Sequence, residues 1–386
     1  MASKSLSVSI LSTFKHLLQL GGRNWWLSFL LWIILVGPVQ AAVELRVAIK
    51  KNVNQVKVGS STTAIVKDAA GRKLGEIAAM NAFSAQPSGG GISVGKWKSG
   101  QIFIEPTGDG YVWISDRWYR GRTRLVRKNK GIMAINHVEL EDYLYSVVGA
   151  EAIPSWPLEA LKAQAVAARS YALHKRYKSG NSMYDLDTTT VTQVYKGLDS
   201  EYTSTHQAVD GTSGQVMTYN RKVILAVFHS SSGGHTENVE DIWMRKLPYL
   251  RGVNDYDQGA PVYEWTKSFS PSQLSSLISG VGTVKSMRPE KTTPQGRVLT
   301  MKVIGSRGTK RLSGDQMRSA LNLRSTLFSV SSANGKFEVY GKGFGHGVGL
   351  SQWGAHNLAQ KGINYQQILG HYYQNATLAK IDPKGR

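Results

Sequence analysis

The chain has 386 residues, a length that fits one large or two medium domains. Of these residues, 41% are hydrophobic and 9% aromatic, a composition that excludes a wholly disordered chain. It has no cysteine, which excludes disulfide scaffolds, thiol catalysis, Cys-type zinc sites and a lipid-modified N-terminal cysteine. The 47 Lys and Arg against 26 Asp and Glu give a net charge of +21, which favours a polyanionic partner such as nucleic acid, an anionic membrane or an anionic wall polymer.

The N-terminus has the order of an export signal. Lys4, Lys15 and Arg23 precede an apolar stretch at residues 25–36, and a Gly-Pro break with small residues follows it. The apolar stretch is short for a membrane span, which needs about 20 residues. We therefore predict that residues 1–41 are a cleaved export signal, with an uncleaved membrane anchor as the alternative. The protein is predicted to be exported to the periplasm or cell wall, where a wall polymer is a better partner than DNA.

The next segment, residues 42–135, is predicted to be a β-rich N-terminal region. Apolar and polar residues alternate at 43–49, 56–58 and 101–104, and a Pro-Ser-Gly-Gly-Gly run at 87–91 predicts a loop. A basic stretch at 117–130 is interleaved with aromatic residues, and we predict it to be the solvated face of a hairpin. DNA binding is the minor alternative for this stretch, and because no RRM, zinc-finger or basic-zipper signature is present, nucleic acid is not a predicted partner.

The pattern becomes helical near residue 138. Residues 140–148 have helical spacing, and a second, stronger helix is predicted from Pro157 to about Tyr177. Glu151 falls in the break between them. Lys162 and Arg169 are seven residues apart, so they lie nearly in line on one face of the second helix.

Shorter elements follow these helices. The sequence predicts a strand at 223–228, a helix that begins at Ser270-Pro271, a strand at 298–304, a glycine loop at 343–349 between a strand and a helix, and a last helix at 365–373. We therefore predict an α+β fold of short mixed sheets with a helical core, and we assign residues 136–386 to the second domain.

Several catalytic motifs are absent. The glycine loop fits neither the P-loop nor the G-x-G-x-x-G nucleotide-binding motif. His346, at the tip of this loop, is either a packed, hydrogen-bonded residue or a site residue. His229 and His235 are six residues apart, which does not match zincin ligands, so no metal is predicted. The serines at 230–232 lack the G-x-S-x-G pattern of a serine hydrolase and are more simply a turn.

Glu151 is the strongest catalytic candidate from the residues alone. Val148, Ile153 and Trp156 are close in sequence, and apolar surroundings disfavour a charged carboxyl, as suits a general acid near neutral pH. The alternative is a glutamate that caps a helix. Lys162 and Arg169 are predicted either to hold polar groups of the substrate or to set the charge state of this carboxyl.

Longer motifs carry a family resemblance. The segments at 147–154, 156–171, 231–238, 247–250, 343–355 and 371–373 together resemble the SpoIID/LytB family, that of stage II sporulation protein D. The resemblance implies a lytic transglycosylase that cleaves peptidoglycan glycan strands stripped of their stem peptides and leaves 1,6-anhydro-N-acetylmuramic ends. Other members are amidase enhancers that bind the wall, and this is the rival interpretation. Some members hold zinc with Cys, which this chain lacks, so no metal is carried over.

The resemblance also implies a set of site residues. Glu151 falls on the family's catalytic glutamate, and Lys162 and Arg169 fall on its motif Lys and Arg. The substrate-binding residues that we predict are Lys162, Arg169, Tyr171, Gln193, Ser231, His235, His346 and Gln352. We predict no cofactor. The predicted partners are peptidoglycan glycan strands and, in the rival interpretation, a cell-wall amidase.

Overall fold

The computed structural model describes residues 43–381, apart from 181, 190, 191, 244 and 334. The predicted export signal at 1–41 lies outside the described residues. The predicted α+β class is confirmed, with a β-rich N-terminal part and several small sheets beyond it. The predicted domain boundary at 135/136 stays a prediction.

The N-terminal part consists of two mainly antiparallel sheets. Its strands are β1 (Glu44–Val53), β2 (Val56–Ser60), β3 (Ala64–Lys67), β4 (Lys73–Ile77), β5 (Ala82–Ser88), β6 (Gly91–Val94), β7 (Trp97–Ser99), β8 (Gln101–Pro106), β9 (Val112–Ile114), β10 (Arg117–Tyr119), β11 (Arg122–Lys128), β12 (Gly131–Glu139) and β13 (Leu186–Asp187). The first sheet has the order β13-β1-β12-β11-β8-β3-β4 and the second β10-β9-β2-β5-β6-β7. Alternate residues such as Val58 and Ile104 are buried in one shared core, as the period of two predicts.

The basic stretch at 117–130 is not one hairpin face, so that prediction was wrong. β10 belongs to the second sheet and β11 to the first, because the chain crosses between sheets at Arg120-Gly121. Arg117 pairs with Asp199, and Arg120 pairs with Glu201. Part of this positive charge is therefore neutralised within the protein.

The helical core follows β12 directly. Before the inserted module described below, it contains α1 (Leu140–Glu151), α2 (Leu158–Ser179), a 3-10 turn (Gly197–Ser200), α3 (Thr203–Asp210), β14 (Gln215–Tyr219), β15 (Lys222–Val223), β16 (Phe228–His229) and α4 (Val239–Trp243). After the module it contains β23 (Leu350–Ser351), α7 (Gln352–Gln360), α8 (Tyr365–Tyr372) and β24 (Thr377–Lys380). The predicted strand at 223–228 is wrong for residues 224–227, which lie between β15 and β16. The predicted helix at 365–373 is confirmed.

A separate module is inserted between α4 and β23. It contains β17 (Glu264–Phe269), α5 (Pro271–Leu277), β18 (Val284–Thr292), β19 (Val298–Gly305), β20 (Gly308–Ser313), α6 (Gly314–Ala320), β21 (Phe328–Ala333) and β22 (Lys336–Lys342). Ser270 caps α5 through a reciprocal bond pair with Gln273, which confirms the predicted helix start. The module has its own hydrophobic core around Met301, Val303 and Val339.

Candidate active site

Glu151 is the last residue of α1, one turn beyond the end expected from the sequence. Its side chain is half-buried, and its Oε1 accepts a hydrogen bond of 2.6 Å from the backbone N–H of Val194. Since the C-terminal end of a helix carries partial negative charge, the position itself also disfavours the carboxylate. The connection that follows, which begins at Ala152, carries an exposed Ile153.

Burial raises the pKa of Glu151 above its usual value, although the Val194 amide and the charge of Lys196 act in the opposite direction. Desolvation is the largest of these effects, because a carboxylate loses more hydration than a neutral carboxyl. A half-buried glutamate with a raised pKa and a fixed orientation is better suited to give a proton than an exposed glutamate.

Two predicted residues, Tyr171 and Gln193, lie on the Glu151 side of the molecule. Burial raises the pKa of Tyr171 to about 12, and the negative charges of Asp187 and Glu151 add to the shift. Gln193 is fully buried, accepts a bond from the Tyr143 hydroxyl and donates one to the carbonyl of Ala168. Gln193 therefore fixes the segment whose next residue, Val194, holds the carboxyl.

The other two predicted residues of α2 point elsewhere. Each residue turns an α-helix by about 100°, so positions two apart differ by about 200°. Residues 162 and 169 therefore lie on a different face of α2 from residues 164 and 171. Lys162 pairs with Glu159 at 2.7 Å and lies over the ring of Tyr365. Neither contact involves Glu151, so the structure does not bring Lys162 to this carboxyl.

Arg169 is completely buried and bonded within the protein. Its guanidinium makes two bonds to Glu141, of 2.9 and 2.6 Å, and further bonds to the carbonyls of Gln215 and Val209. Glu141 lies at the opposite end of α1 from Glu151, about 15 Å along the axis at 1.5 Å per residue. A direct contact of Arg169 with substrate stays a prediction, and the contacts described here hold α1 against α2.

Ser231 and His235 shape the loop after β16. The Ser231 hydroxyl donates to Asp257 at 2.5 Å, and the same carboxylate accepts the amides of Gly233 and Gly234. The His235 ring is bonded through Nδ1 to the carbonyl of Thr236 at 2.5 Å. The visible role of Ser231 is therefore to order this loop.

His346 lies in the glycine loop, next to His229 at the end of β16 and Trp243 at the end of α4. Its ring centroid is 5.2 Å from that of His229 and 5.0 Å from that of Trp243. Burial, together with the charge of Arg297, lowers the pKa of His346 to about 3, so the ring is neutral at ordinary pH. Within residues 43–381 as described, no group of three His, Cys, Asp or Glu is placed to hold a metal ion.

Arg297 of the inserted module packs against the glycine loop. Its side chain is completely buried, donates to the carbonyl of Ser232 at 2.7 Å and lies 3.6 Å from a Glu237 oxygen. Gly347 has a φ of +79°, and a Cβ there would lie 2.3 Å from the Arg297 guanidinium. Only glycine fits this combination of backbone angle and close approach.

Gly347→Ala is therefore expected to destabilise the protein more than a matched change elsewhere. Gly259 has a similar φ of +84° with no heavy atom near its would-be Cβ, so Gly259→Ala should cost only backbone strain, about 1 kcal/mol. Gly347→Ala should lose about 1–3 kcal/mol more from the clash. Urea unfolding of both variants measures the difference, and equal losses would contradict the close approach.

Gln352 links α7 to the face of α2 that carries Tyr171. Its Nε2 donates to the Oε1 of Gln164 at 3.2 Å. The Nε2 of Gln164 and the Nε2 of His229 are buried and have no hydrogen-bond partner among the described residues. Buried polar atoms usually have a hydrogen-bond partner. The Nε2 atoms of Gln164 and His229 are therefore available for a hydrogen bond to a ligand.

An aromatic cluster follows Glu151 in the chain. The rings of Trp156, Trp353 and His356 lie 4.9–5.1 Å apart between centroids and are half-buried. Trp353 is fixed by its backbone N–H, which donates to the carbonyl of Ser230. The cluster joins the start of α2 to α7.

Sequence reasoning did not find Val194, Lys196, Gln164 or Trp353 as site residues. Val194 acts through its backbone amide, for which no side-chain pattern exists. Gln164 had a usable signal, since it is seven residues from Tyr171 and shares its helix face. Among the residues that the structure describes, no helix is both long and apolar enough to cross a membrane.

Comparison with known proteins places this chain in a family. A family model described as stage II sporulation protein matches residues 128–219, and one described as a domain of unknown function matches residues 237–349. An uncharacterized protein of Brachyspira hyodysenteriae is 35% identical over 293 residues, covering 74% of this chain and 78% of that protein.

Two named relatives are similar as well. Stage II sporulation protein D of Bacillus amyloliquefaciens is 35% identical over 272 residues, covering 64% of this chain and 76% of the relative. The amidase enhancer of Bacillus subtilis is 30% identical over 290 residues, covering 61% of this chain but 40% of the enhancer. Together these matches define a protein of the class linked to cell-wall remodelling. The chain belongs to the SpoIID/LytB family, as the resemblance in its motifs predicted.

Proposed function

We propose that this protein is a peptidoglycan lytic transglycosylase, exported to the cell envelope, in which Glu151 is the general acid and base. The observation that carries the proposal is the carboxyl of Glu151 at the end of α1, half-buried, held by the Val194 amide and raised in pKa by burial. The family of the chain, which is linked to cell-wall remodelling, supports the choice of substrate.

One carboxyl group serves both proton transfers of the reaction. Protonated Glu151 gives its proton to the glycosidic oxygen, and the bond from that oxygen to C1 of N-acetylmuramic acid breaks through an oxocarbenium-like state. The resulting carboxylate removes the proton of the C6 hydroxyl, whose oxygen bonds to C1 and closes the 1,6-anhydro ring. Glu151 is protonated again at the end, and no water is consumed. The second carboxylate of an ordinary glycosidase is not required.

The surroundings of Glu151 support this role. The charged side chain that acts on the carboxyl is the cation Lys196, which would also steady the carboxylate once the proton has left. Tyr171 keeps its proton at neutral pH, since its pKa is raised to about 12. The half-buried rings of Trp156 and Trp353 offer apolar faces of the kind that line ligand sites.

The proposal predicts how the rate depends on pH. Cleavage needs protonated Glu151, and its raised pKa keeps that form present to higher pH than for an exposed glutamate. The rate should therefore fall as pH rises through this pKa. Lys196→Met removes a charge that lowers the pKa, so the alkaline limb should move to higher pH. Initial rates of anhydro-product release across pH measure the alkaline limb in the unchanged protein and in Lys196→Met. If the two limbs fall at the same pH, Lys196 does not act on the carboxyl of Glu151.

The direct test is product analysis. Purified protein is incubated with intact peptidoglycan and with amidase-stripped peptidoglycan, and the soluble products are identified by mass spectrometry. Products with the anhydro-muramic mass support a lytic transglycosylase, and comparison of the substrates shows whether stem peptides must be absent.

The second candidate function is a wall-binding enhancer of a cell-wall amidase. The similarity to the Bacillus subtilis amidase enhancer favours it. An enhancer should release no fragments alone, pellet with the wall, and change the products only when an amidase is present.

A further inference from the structure

The inserted module, residues 264–342, carries an unusual share of the positive charge. It contains 13 Lys and Arg and 4 Asp and Glu, a net charge of +9 in a chain whose total is +21. It lies within the segment matched by the domain of unknown function. One of these cations, Arg297, is buried, and the module packs on its own hydrophobic core.

Four of these cations share one face of the three-stranded sheet β18-β19-β20. Arg288 is opposite Lys302, and Lys302 is opposite Arg311. Side chains of opposed residues lie on the same side of a sheet. Thr300, two residues before Lys302 and thus on the same side, is opposite Lys291. We call Arg288, Lys291, Lys302 and Arg311 the cationic face.

The other side of this sheet faces the module's core. Met287, Met301, Val303 and Leu312 are buried there, and α5 and α6 pack against the same sheet. The cationic face is therefore directed to solvent, and Arg288, Lys291 and Arg311 are exposed.

One carboxylate accompanies the four cations. Glu290 accepts two hydrogen bonds from the Arg311 guanidinium, of 2.7 and 3.1 Å, and lies 3.8 Å from Lys302. It leaves three positive charges without a matching negative charge on the face. Neighbouring strands are about 4.8 Å apart, so these charges are closely spaced.

We propose that the cationic face binds an anionic wall polymer with a phosphodiester backbone. Closely spaced cations match a polymer that carries one charge in every short repeat, and the guanidinium group of Arg288 is suited to phosphate oxygens. This binding does not depend on cleavage by Glu151, and it gives the inserted module a role in holding the protein on the wall.

The composition of the face separates this partner from two others. Its remaining side chains are Ser286, Ile304, Thr300, Thr309 and Ser313. Single-stranded nucleic acid is usually bound with aromatic side chains that stack on bases, and this face has none. An anionic membrane surface is usually bound with large apolar residues beside the cations, and Ile304 alone is of that kind here.

The experiment compares two variants of equal charge. Arg288, Lys291, Lys302 and Arg311 are changed together to Gln, and the control changes four exposed lysines of the β-rich part, Lys57, Lys98, Lys128 and Lys130, to Gln. The probes are a soluble glycerol phosphate oligomer and walls before and after hydrofluoric acid removes phosphodiester polymers. Circular dichroism confirms that both variants fold.

We expect the face variant to bind the oligomer about tenfold or more weakly at low salt, with a shallower salt dependence, because fewer counterions are released. The control variant should bind nearly as the unchanged protein does, and Glu290→Gln should bind more tightly. Acid-treated walls should retain less protein than untreated walls, and the face variant should be insensitive to the treatment.

Three results would overturn the proposal. Equal loss in both four-residue variants would mean that only the overall charge matters. Binding of the oligomer that is unaffected by the face variant would place the contact elsewhere. Tighter binding to duplex or single-stranded DNA, or to vesicles of anionic phospholipid, than to the oligomer and untreated walls would assign the face to a different partner.

Discussion

Glu151→Gln is expected to abolish the release of anhydro-muramic products from peptidoglycan while leaving wall binding nearly intact. The amide keeps an oxygen that can accept the bond of 2.6 Å from the Val194 N–H, so the local geometry should persist. It has no acidic proton to give, and loss of general acid catalysis alone slows a reaction by about 10²–10⁴-fold. Mass spectrometry of soluble products measures the effect.

The matched control is Glu159→Gln. Glu159 is also half-buried and accepts bonds, from Lys162 and from the amide of Tyr365, but its surroundings lower its pKa. A glutamate whose pKa is lowered is charged at neutral pH and is a poor acid. Its substitution should leave cleavage near the unchanged level, and retained cleavage in Glu151→Gln would sink the catalytic assignment.

Stability gives an independent readout of the same residue. A carboxyl whose pKa is higher in the folded than in the unfolded protein binds more protons when folded, so it makes stability fall as pH rises through those pKa values. Burial raises the pKa of Glu151. Glu151→Gln should therefore be at least as stable as the unchanged protein at neutral pH. It should also lack the fall in stability that the unchanged protein shows as pH rises from the ordinary pKa of a glutamate through the raised pKa of Glu151, which thermal unfolding across pH would measure.

The local elements were largely predictable from the sequence. Alternation at 43–49 predicted β1, the β region at 298–304 was predicted as a strand and is β19, and Ser270-Pro271 predicted the start of α5. These features were predictable because strand period and helix capping depend on neighbours in the chain. The strand predicted at 223–228 was wrong between Val223 and Phe228. There Ile224, Ala226 and Val227 are buried but lie outside the described strands, and so short an apolar run does not by itself establish a paired strand.

The site was predictable in part. Glu151 stood out because apolar residues surround it in sequence, and the structure agrees that burial raises its pKa. The amide of Val194 reaches the carboxyl from 43 residues away, and such a contact depends on tertiary packing. Lys162 and Arg169 show the limit of helix periodicity, which groups residues on one face but does not say which face meets the site. Tyr171, which lies on a different face of α2, is the residue of that helix whose pKa the charge of Glu151 affects.

Arg169→Met is expected to destabilise the protein by about 3 kcal/mol, the lower part of the range for removing one partner of a buried ion pair. The guanidinium is completely buried and is bonded to Glu141, whose side chain is 31% exposed, so some of the stranded charge would be hydrated. Chemical unfolding of Arg169→Met, Glu141→Gln and the double variant forms a cycle. We expect a coupling of about 1–3 kcal/mol, because the residues are in direct contact.

Lys162→Met provides the control, since Lys162 lies two turns away on the same helix face. Its pair with Glu159 is three residues apart on one helix and partly exposed, and such pairs contribute about 0.2–0.5 kcal/mol. A large stability loss in Arg169→Met with little in Lys162→Met would make Arg169 a residue that holds α1 and α2 together. Unchanged stability with lost wall binding would instead place Arg169 at the substrate. Because α1 ends at Glu151, a loosened α1 should also impair cleavage, so stability and binding decide between the two roles and cleavage alone does not.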